Sequence, residues 1–517
     1  MSDIHKIGTI IGETNPIEFL FATTEKVSRL EYILIESNEN VNGEEIKVNI
    51  IAQVFQIMSS SRALMEYIKL EDAERIIQAG LVDTRTFAGA RVLGFLHEGN
   101  IYQPRRAIQP GKPVYLAPKE LLEKFYSYSK EEGLHVGNLI TRPDVPVHIT
   151  LKGFRRHLAI LAQTGAGKSY TAGVLVEELL EKGATVIIID PHADYVFLGK
   201  KRKGGMLKRV NIFRTPESTG RYDETQIGKK IETYQIRFSD LSQNEIETIC
   251  GIREGWIKLS DALSTALSNL QSGYELKDLL RELDNLEKNG QRVKSYIRRL
   301  SYLKVFGPAT TDYKEFLKPK QVSVIDLSGL DDNVSDYVNY RILRDIYHEA
   351  ETQNLEYPVF VLIEEAHRFI PAKDRTLSKQ IVKRIAAEGR KFGIFLILIT
   401  QRPYKIDQDV LSQCNSQIIM RMTNPEDQKA IKTSSERISE DLLVDLPGLN
   451  IGEAVVIGEI SKAPVMIKVR PRLTEEGGGD IDIVAKLKEA REEAEIEAEK
   501  REEQLRKDLE DMRKMLG

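Results

Sequence analysis

Gly165-Ala166-Gly167-Lys168-Ser169 follows a short apolar run, Leu158–Leu161, and precedes an amphipathic helical pattern and a second apolar run, Val186–Ile189, closed by Asp190. Small residues at this spacing let successive backbone N–H groups point at phosphate oxygens. Lys168 then supplies a point charge for the β- and γ-phosphates, and the Ser169 hydroxyl a Mg²⁺ ligand. The start of the following helix adds its partial positive charge. The spacing predicts strand, phosphate loop, helix and strand, with Gln163, Thr164, Gly165, Ala166, Gly167, Lys168, Ser169 and Tyr170 binding the nucleotide. Ala162 stands where G-x-x-x-x-G-K-[ST] has its first glycine, and it fits if its φ is negative. A glycine-rich turn before an ordinary helix would explain the glycines, but not the strands on either side.

A second constellation completes the chemistry. Val359–Ile363 is an unbroken apolar run, as a strand buried on both faces must be, and it ends in Glu364-Glu365. The carboxyl end of such a strand is where an open α/β sheet places its site. There Glu364 reaches the Mg²⁺ shell and Glu365 polarises the attacking water as general base. Asp190 is a further candidate for the Mg²⁺ shell, with His192 near it. Thr400 and Gln401 close another apolar run and can sense the γ-phosphate, although a turn or capping role would suit both. Arg390 and Arg156 each precede a predicted strand; either can act as a positive finger on a neighbour's nucleotide or form a surface ion pair.

The elements that must position these residues can be read along the chain. Residues 1–144 hold short β runs (Ile7–Ile11, Glu18–Ala22, Tyr32–Glu36, Ile46–Met58, Phe87–His97, Pro113–Ala117), with Gly8, Gly89 and Gly94 inside them, as in a small closed barrel followed by a linker. A short helix is expected at Leu70–Ala79. Strands alternating with helical periods make 145–214 and 321–475 an α/β core, with further strands at Val322–Asp326, Ile394–Thr400 and Ser416–Met422. The tract 215–320 is predicted to be a helical insertion. The arm 476–517 includes the glycine joint Gly477-Gly478-Gly479 and, from about 481, a partial heptad stripe, suiting an arm that packs on another subunit or a solvated helix.

Composition narrows the function. At 517 residues the chain is too long for one core. Lys and Arg total 74 against 78 Asp and Glu, a formal charge of −4, so any polyanion must meet a local basic patch. Lys200-Lys201-Arg202-Lys203 with Lys208-Arg209, and the loop Pro371–Arg375, are the candidates for such a patch; a solvated face is the plain alternative for each. The two cysteines, Cys250 and Cys414, have no metal-ligand spacing. No apolar run reaches the roughly eighteen residues of a membrane span, and no signal peptide pattern opens the chain, so a soluble cytoplasmic protein is expected, with no membrane partner.

Taken together, RRHLAILAQTGAGKS, IIIDPHADY, VIDLSGL, FVLIEEAHRF and EGRKFGIFLILITQRP, in that order after a barrel and before a helical tail, resemble the HerA family of archaeal and bacterial DNA-translocating ATPases, relatives of the FtsK motors. The resemblance implies a RecA-like ATPase core, a hexameric ring using ATP at subunit interfaces, duplex DNA in a central channel, and a NurA-type nuclease partner in DNA end processing for recombinational repair. It implies that Lys168 and Ser169 bind nucleotide, that Glu365 is catalytic, and that Arg156 and Arg390 contact nucleotide or act across the interface. The turn Gly458–Lys462, with Ser461 and Lys462, is expected to serve as a lid on the adenine. A secretion- or conjugation-type ATPase moving protein or nucleoprotein at a membrane shares such a core and is the rival. A nucleotide-binding scaffold without hydrolysis is a third possibility, opposed by the intact Lys168, Ser169, Glu364 and Glu365.

Overall fold

The computed structural model describes residues 5–24, 26–207, 209–216, 218, 222–253, 255–286, 288–303, 305–435, 438–477 and 483–516. Lys208 of the basic stretch, and Gly478 and Gly479 of the glycine joint, lie outside them.

Seven N-terminal strands form an antiparallel sheet: β1 (Lys6–Ile11), β2 (Glu18–Thr23), β3 (Tyr32–Val41), β4 (Glu44–Ser61), β5 (Thr84–His97), β6 (Asn100–Tyr102) and β7 (Pro113–Leu116). Their order is β2-β1-β7-β3-β4-β5-β6, and β2 also pairs with β5, which closes six strands into a barrel. Alternation drives this closure: Phe19, Phe21, Ile33, Ile35, Ile50, Ala52, Val54 and Phe95 fill the interior. Gly94 sits at a bulge with φ +125°, where the long β4–β5 ladder bends, as the glycine inside that run suggests. The expected helix is present at Leu70–Gln78.

The rest of the chain builds a twelve-stranded sheet. Its strands are β8 (Gly133–Leu139), β9 (Pro146–Thr150), β10 (Leu158–Leu161), β11 (Thr185–Asp190), β12 (Val210–Arg214), β13 (Glu232–Thr233), β14 (Val322–Asp326), β15 (Val359–Ile363), β16 (Ile394–Thr400), β17 (Ser416–Met420), β18 (Glu453–Ile457) and β19 (Val465–Val469). The order is β13-β12-β14-β11-β15-β16-β10-β17-β18-β19-β8-β9, parallel from β13 to β17 and antiparallel beyond. The central parallel strands are mostly apolar and buried on both faces, and the polar residues at and after their carboxyl ends collect along one edge.

Two features depart from the sequence-based expectation. The segment expected to be a linker up to residue 144 contains β8, which pairs with β19 in the large sheet. Helices Gln243–Cys250, Ile257–Ser268, Leu276–Asp284 and Lys288–Ile297 fall in the tract 215–320, yet their buried Leu259, Leu263, Leu279, Leu283 and Val293 belong to the same core as Ile325, Val334 and Tyr337. The tract is therefore built onto one face of the sheet and shares its core. The C-terminal helix Ile483–Leu516 has no buried side chain among its described residues. Among the described residues, no helix is long and apolar enough to cross a membrane.

Candidate nucleotide site

β10 lies between β16 and β17, and the chain leaves its carboxyl end as a tight loop. Ala162 N donates to Thr400 O at 3.3 Å and Gln163 N to Arg421 O at 3.0 Å, which seats the loop on the neighbouring strand ends. Gly165 and Gly167 take φ of +75° and +100°, conformations that side chains resist, whereas buried Ala162 keeps a negative φ. The condition under which alanine fits the first position of the motif is thus met. Gly167 opens the helix Lys168–Glu181, whose first residues are Lys168 and Ser169.

β16 separates the loop strand from β15, so its carboxyl end, with Thr400 and then Gln401, lies between the strand ends that carry the phosphate loop and the paired glutamates. Lys168 Nζ donates to Glu364 Oε1 and, at 2.7 Å, to Glu365 Oε1. Burial opposes the Lys168 charge, but the two carboxylates override it and raise its pKa above the ordinary value. Glu364 is fully buried, and burial raises its pKa despite Lys168 and a hydrogen bond from Tyr195 OH to Oε2 at 2.7 Å. Glu365 adopts φ 50°, ψ 46°, a left-handed conformation that costs a non-glycine residue about 1–3 kcal/mol. Strain of this kind persists where the surroundings impose it, and here it opens the helix Ala366–Phe369 with Glu365 turned to Lys168. Glu365 Oε2 is buried without a hydrogen-bond donor among the described residues. His367 Nδ1 lies 3.2 Å from that oxygen and hydrogen-bonds Thr400 Oγ1 at 3.0 Å. Burial lowers the His367 pKa, which favours a neutral ring.

Gln401 Oε1 accepts a hydrogen bond from Thr164 Oγ1, joining the β16 end to the phosphate loop. Gln163 Oε1 accepts from Thr423 Oγ1 at 2.9 Å. Ser169 Oγ donates to Asp194 Oδ2 at 2.6 Å, a partner that motif spacing did not single out. Asp190 has a different place from the one expected. Its carboxylate accepts from the backbone N–H groups of His192 (3.3 Å), Asp194 (3.0 Å) and Tyr195 (2.9 Å), so it ties its own loop together. Burial, then the neighbouring Asp194, pushes its pKa well up. His192 itself is exposed. Tyr170 OH accepts from Arg472 N at 2.6 Å, facing the C-terminal segment.

The remaining candidates lie at the other end of the sheet. Arg156 and Arg390 precede β10 and β16, and both are exposed at the amino edge. The seven residues of β16 put about 20 Å between that edge and the phosphate loop. Arg156 Nε is 3.7 Å from Glu459 Oε1. Ser461 and Lys462 also sit there, because antiparallel β18 returns from the carboxyl edge and its Ile457 pairs with Gln417 at the start of β17. Ser461 Oγ donates to Ala463 O at 2.6 Å, and the Lys462 ammonium stands 5.0 Å from the Tyr128 ring centre. The turn Gly458–Lys462 therefore lies away from its own chain's phosphate loop.

Comparison with known proteins identifies the family. The family model described as "Helicase HerA, central domain" matches residues 134–346, and that described as "Helicase HerA-like C-terminal" matches residues 321–472. The DNA double-strand break repair helicase HerA of Saccharolobus solfataricus is 30% identical over 95% of this chain and 97% of its own length. That of Pyrococcus furiosus is 30% identical over 90% of this chain and 92% of its own. Among solved structures, VirB4 of Thermoanaerobacter pseudethanolicus is 18% identical, covering 66% of this chain and 97% of that one, with a TM-score of 0.48. With its phosphate loop, paired glutamates and near end-to-end match to these relatives, the chain belongs to the HerA helicase family, a family of ATP-driven enzymes.

Proposed function

We propose that this chain is the ATP-hydrolysing subunit of a ring that translocates along DNA in the repair of double-strand breaks, as the names of its relatives suggest. The observation that carries the reading is the placement of Lys168 between Glu364 and Glu365 at the carboxyl edge, with Gln401 reaching the loop from the strand between. A lysine so placed can exchange its carboxylate partners for the β- and γ-phosphates of ATP. Ser169 and Glu364 would hold Mg²⁺, which supplies neutralisation of the charge that develops on phosphoryl transfer. The donor set is all oxygen, as Mg²⁺ requires, and few protein ligands suffice because the substrate phosphates complete its shell. Glu365 Oε2, buried and without a donor, is the acceptor left for the proton of the attacking water. The left-handed backbone at Glu365 and the contact with Lys168 fix the direction of that carboxylate.

Arg156, Arg390, Ser461 and Lys462 are too far from their own phosphate loop to act there. In a head-to-tail ring the amino edge of one subunit faces the carboxyl edge of the next, and both arginines then reach a neighbour's nucleotide. Six subunits and a NurA-type nuclease at the barrel side complete the proposal, on family resemblance. The DNA grip falls to the loop Pro371–Arg375. Its Lys373 and Arg375 are exposed and border a cleft of about 1260 Å³ with Lys379 and Lys383. Lys200 and Arg202 are less available, since they lie against Glu475 and Glu476. Mass measurement with ATP analogue and DNA, followed by an ATPase assay on the same sample, tests the proposal. A ring whose ATPase is stimulated by linear duplex supports it, and a monomer indifferent to DNA contradicts it.

A further inference from the structure

Both halves of the phosphate site are tied to one short loop, the end of the IIIDPHADY stretch. Asp190 knits residues 190–195 through three backbone N–H groups. From that loop Asp194 accepts the Ser169 hydroxyl, and Tyr195 donates to Glu364 Oε2 at 2.7 Å. Tyr195 is fully buried, so its hydroxyl must find a partner inside the protein, and that partner is Glu364.

A C-terminal strap, residues 470–477, grips the same region from behind. Glu177, buried on the phosphate-loop helix, accepts from Leu473 N, Thr474 N, Thr474 Oγ1 and Arg470 Nη1, all within 3.2 Å. At the strap's far end Gly477 N donates to Asp194 O at 3.0 Å, and a Cβ on Gly477 would run into the Ala193 carbonyl oxygen. Ala193 itself holds φ +60°, so the backbone just before Tyr195 is tightly constrained.

We propose that Tyr195 is a positioning residue for ATP hydrolysis: its hydroxyl fixes the Glu364 carboxylate beside Lys168, and the strap 470–477 sets the place of Tyr195 by clamping the backbone of Ala193 and Asp194. The inference rests on the ATPase reading of the Lys168–Glu365 site. Tyr195 acts through Glu364 and touches neither the loop's backbone nor its lysine among the hydrogen bonds described. Losing its hydroxyl leaves Glu364 Oε2 unheld while the phosphate-binding groups stay in place. The effect therefore falls on turnover and spares nucleotide affinity.

The test uses the full chain in its assembled form, as parent, Tyr195→Phe, Gly477→Ala and the double variant. It measures kcat and KM for ATP, affinity for a fluorescent ATP analogue, and Tm. Tyr195→Phe is expected to lower kcat about 10- to 100-fold, the usual cost of removing an outer partner of a ligating group, with analogue affinity and Tm near the parent's. Gly477→Ala should also lower kcat, and the loss in the double variant should fall short of the product of the two single losses, because the strap acts in part through the Tyr195–Glu364 contact. If Gly477→Ala does not assemble, Thr474→Val, which removes one donor from Glu177, takes its place. Parent-like kcat in Tyr195→Phe, or a loss of kcat matched by a loss of analogue affinity, overturns the positioning role; fully additive effects overturn the part given to the strap. A parent that turns over no ATP overturns the underlying reading and this inference with it, whereas an active parent matched by Tyr195→Phe overturns the inference alone.

Discussion

Glu365→Gln isolates the step on which hydrolysis turns. The amide can keep its carbonyl oxygen on Lys168, reproducing the 2.7 Å contact, but it places an NH₂ group where Oε2 stands without a donor. A proton acceptor becomes a donor and the shape barely changes. Loss of a positioned general base costs about 10²- to 10⁴-fold in rate, equivalent to about 3–5 kcal/mol of barrier. The left-handed backbone at φ 50° is as tolerable to glutamine as to glutamate, so the fold should not notice. Glu365→Asp makes a useful companion. It keeps the charge and suits a left-handed backbone at least as well, but it withdraws the carboxylate by one methylene, and a misplacement of about 1 Å can cost about 10²-fold. Single-turnover hydrolysis of bound ATP, with analogue affinity and Tm measured on the same preparations, should show both variants slow, both binding nucleotide, and neither less stable. Glu365→Gln hydrolysing at the parent rate would refute the assignment of the base.

Other outcomes follow from the same geometry. Because the arginines and the phosphate loop occupy opposite edges of one sheet, mixing Arg390→Ala with Lys168→Ala subunits should recover part of the ATPase activity that each lacks alone; no recovery in mixed rings speaks against action on a neighbour. Lys373→Ala with Arg375→Ala should abolish stimulation of ATPase by duplex DNA while leaving Tm unchanged, and intact stimulation would remove that loop as a grip. His157 is buried, and burial lowers its pKa from 6.5 to about 4, with Nδ1 accepting from Leu396 N at 3.0 Å and Nε2 meeting Ala386 O at 3.1 Å. The unfolded chain takes up this proton below pH 6.5 and the folded one does not until about pH 4, so stability is complete above that window and is lost as pH falls through it. Between pH 7 and 5 the loss from this group is about 2 kcal/mol. Urea unfolding of His157→Asn should show a shallower pH slope than the parent, and an unchanged slope would contradict the assignment.

How much of this could be read from the chain beforehand depended on the distance over which each signal acts. Strands Leu158–Leu161, Val322–Asp326, Val359–Ile363 and Ile394–Thr400 stand where their mostly apolar runs put them, because double-sided burial leaves a local imprint. The hairpin Gly133–Leu139 and Pro146–Thr150 was hidden. Its pairing with Val465–Val469 spans more than three hundred residues, and its glycines and histidines dilute the apolar pattern. Lys168, Ser169, Glu364 and Glu365 announce themselves by type and position. Asp194 and Tyr195 do not, since nothing in the spacing says which side chain of a loop will turn toward a serine or toward a glutamate 169 residues away. Arg156 and Arg390 could be seen to precede strands; that this puts them at the far edge from their own phosphate loop follows only from the parallel sheet. The same limit applied to Ser461 and Lys462, whose side of the molecule is decided by the return of β18.

Steady-state phosphate release from ATP, with and without linear duplex DNA, for the parent beside Lys168→Ala, tests the central claim most directly. The account predicts turnover by the parent that DNA accelerates, and none by the variant. A folded, assembled parent that releases no phosphate under either condition, or a Lys168→Ala protein that matches it, contradicts the account.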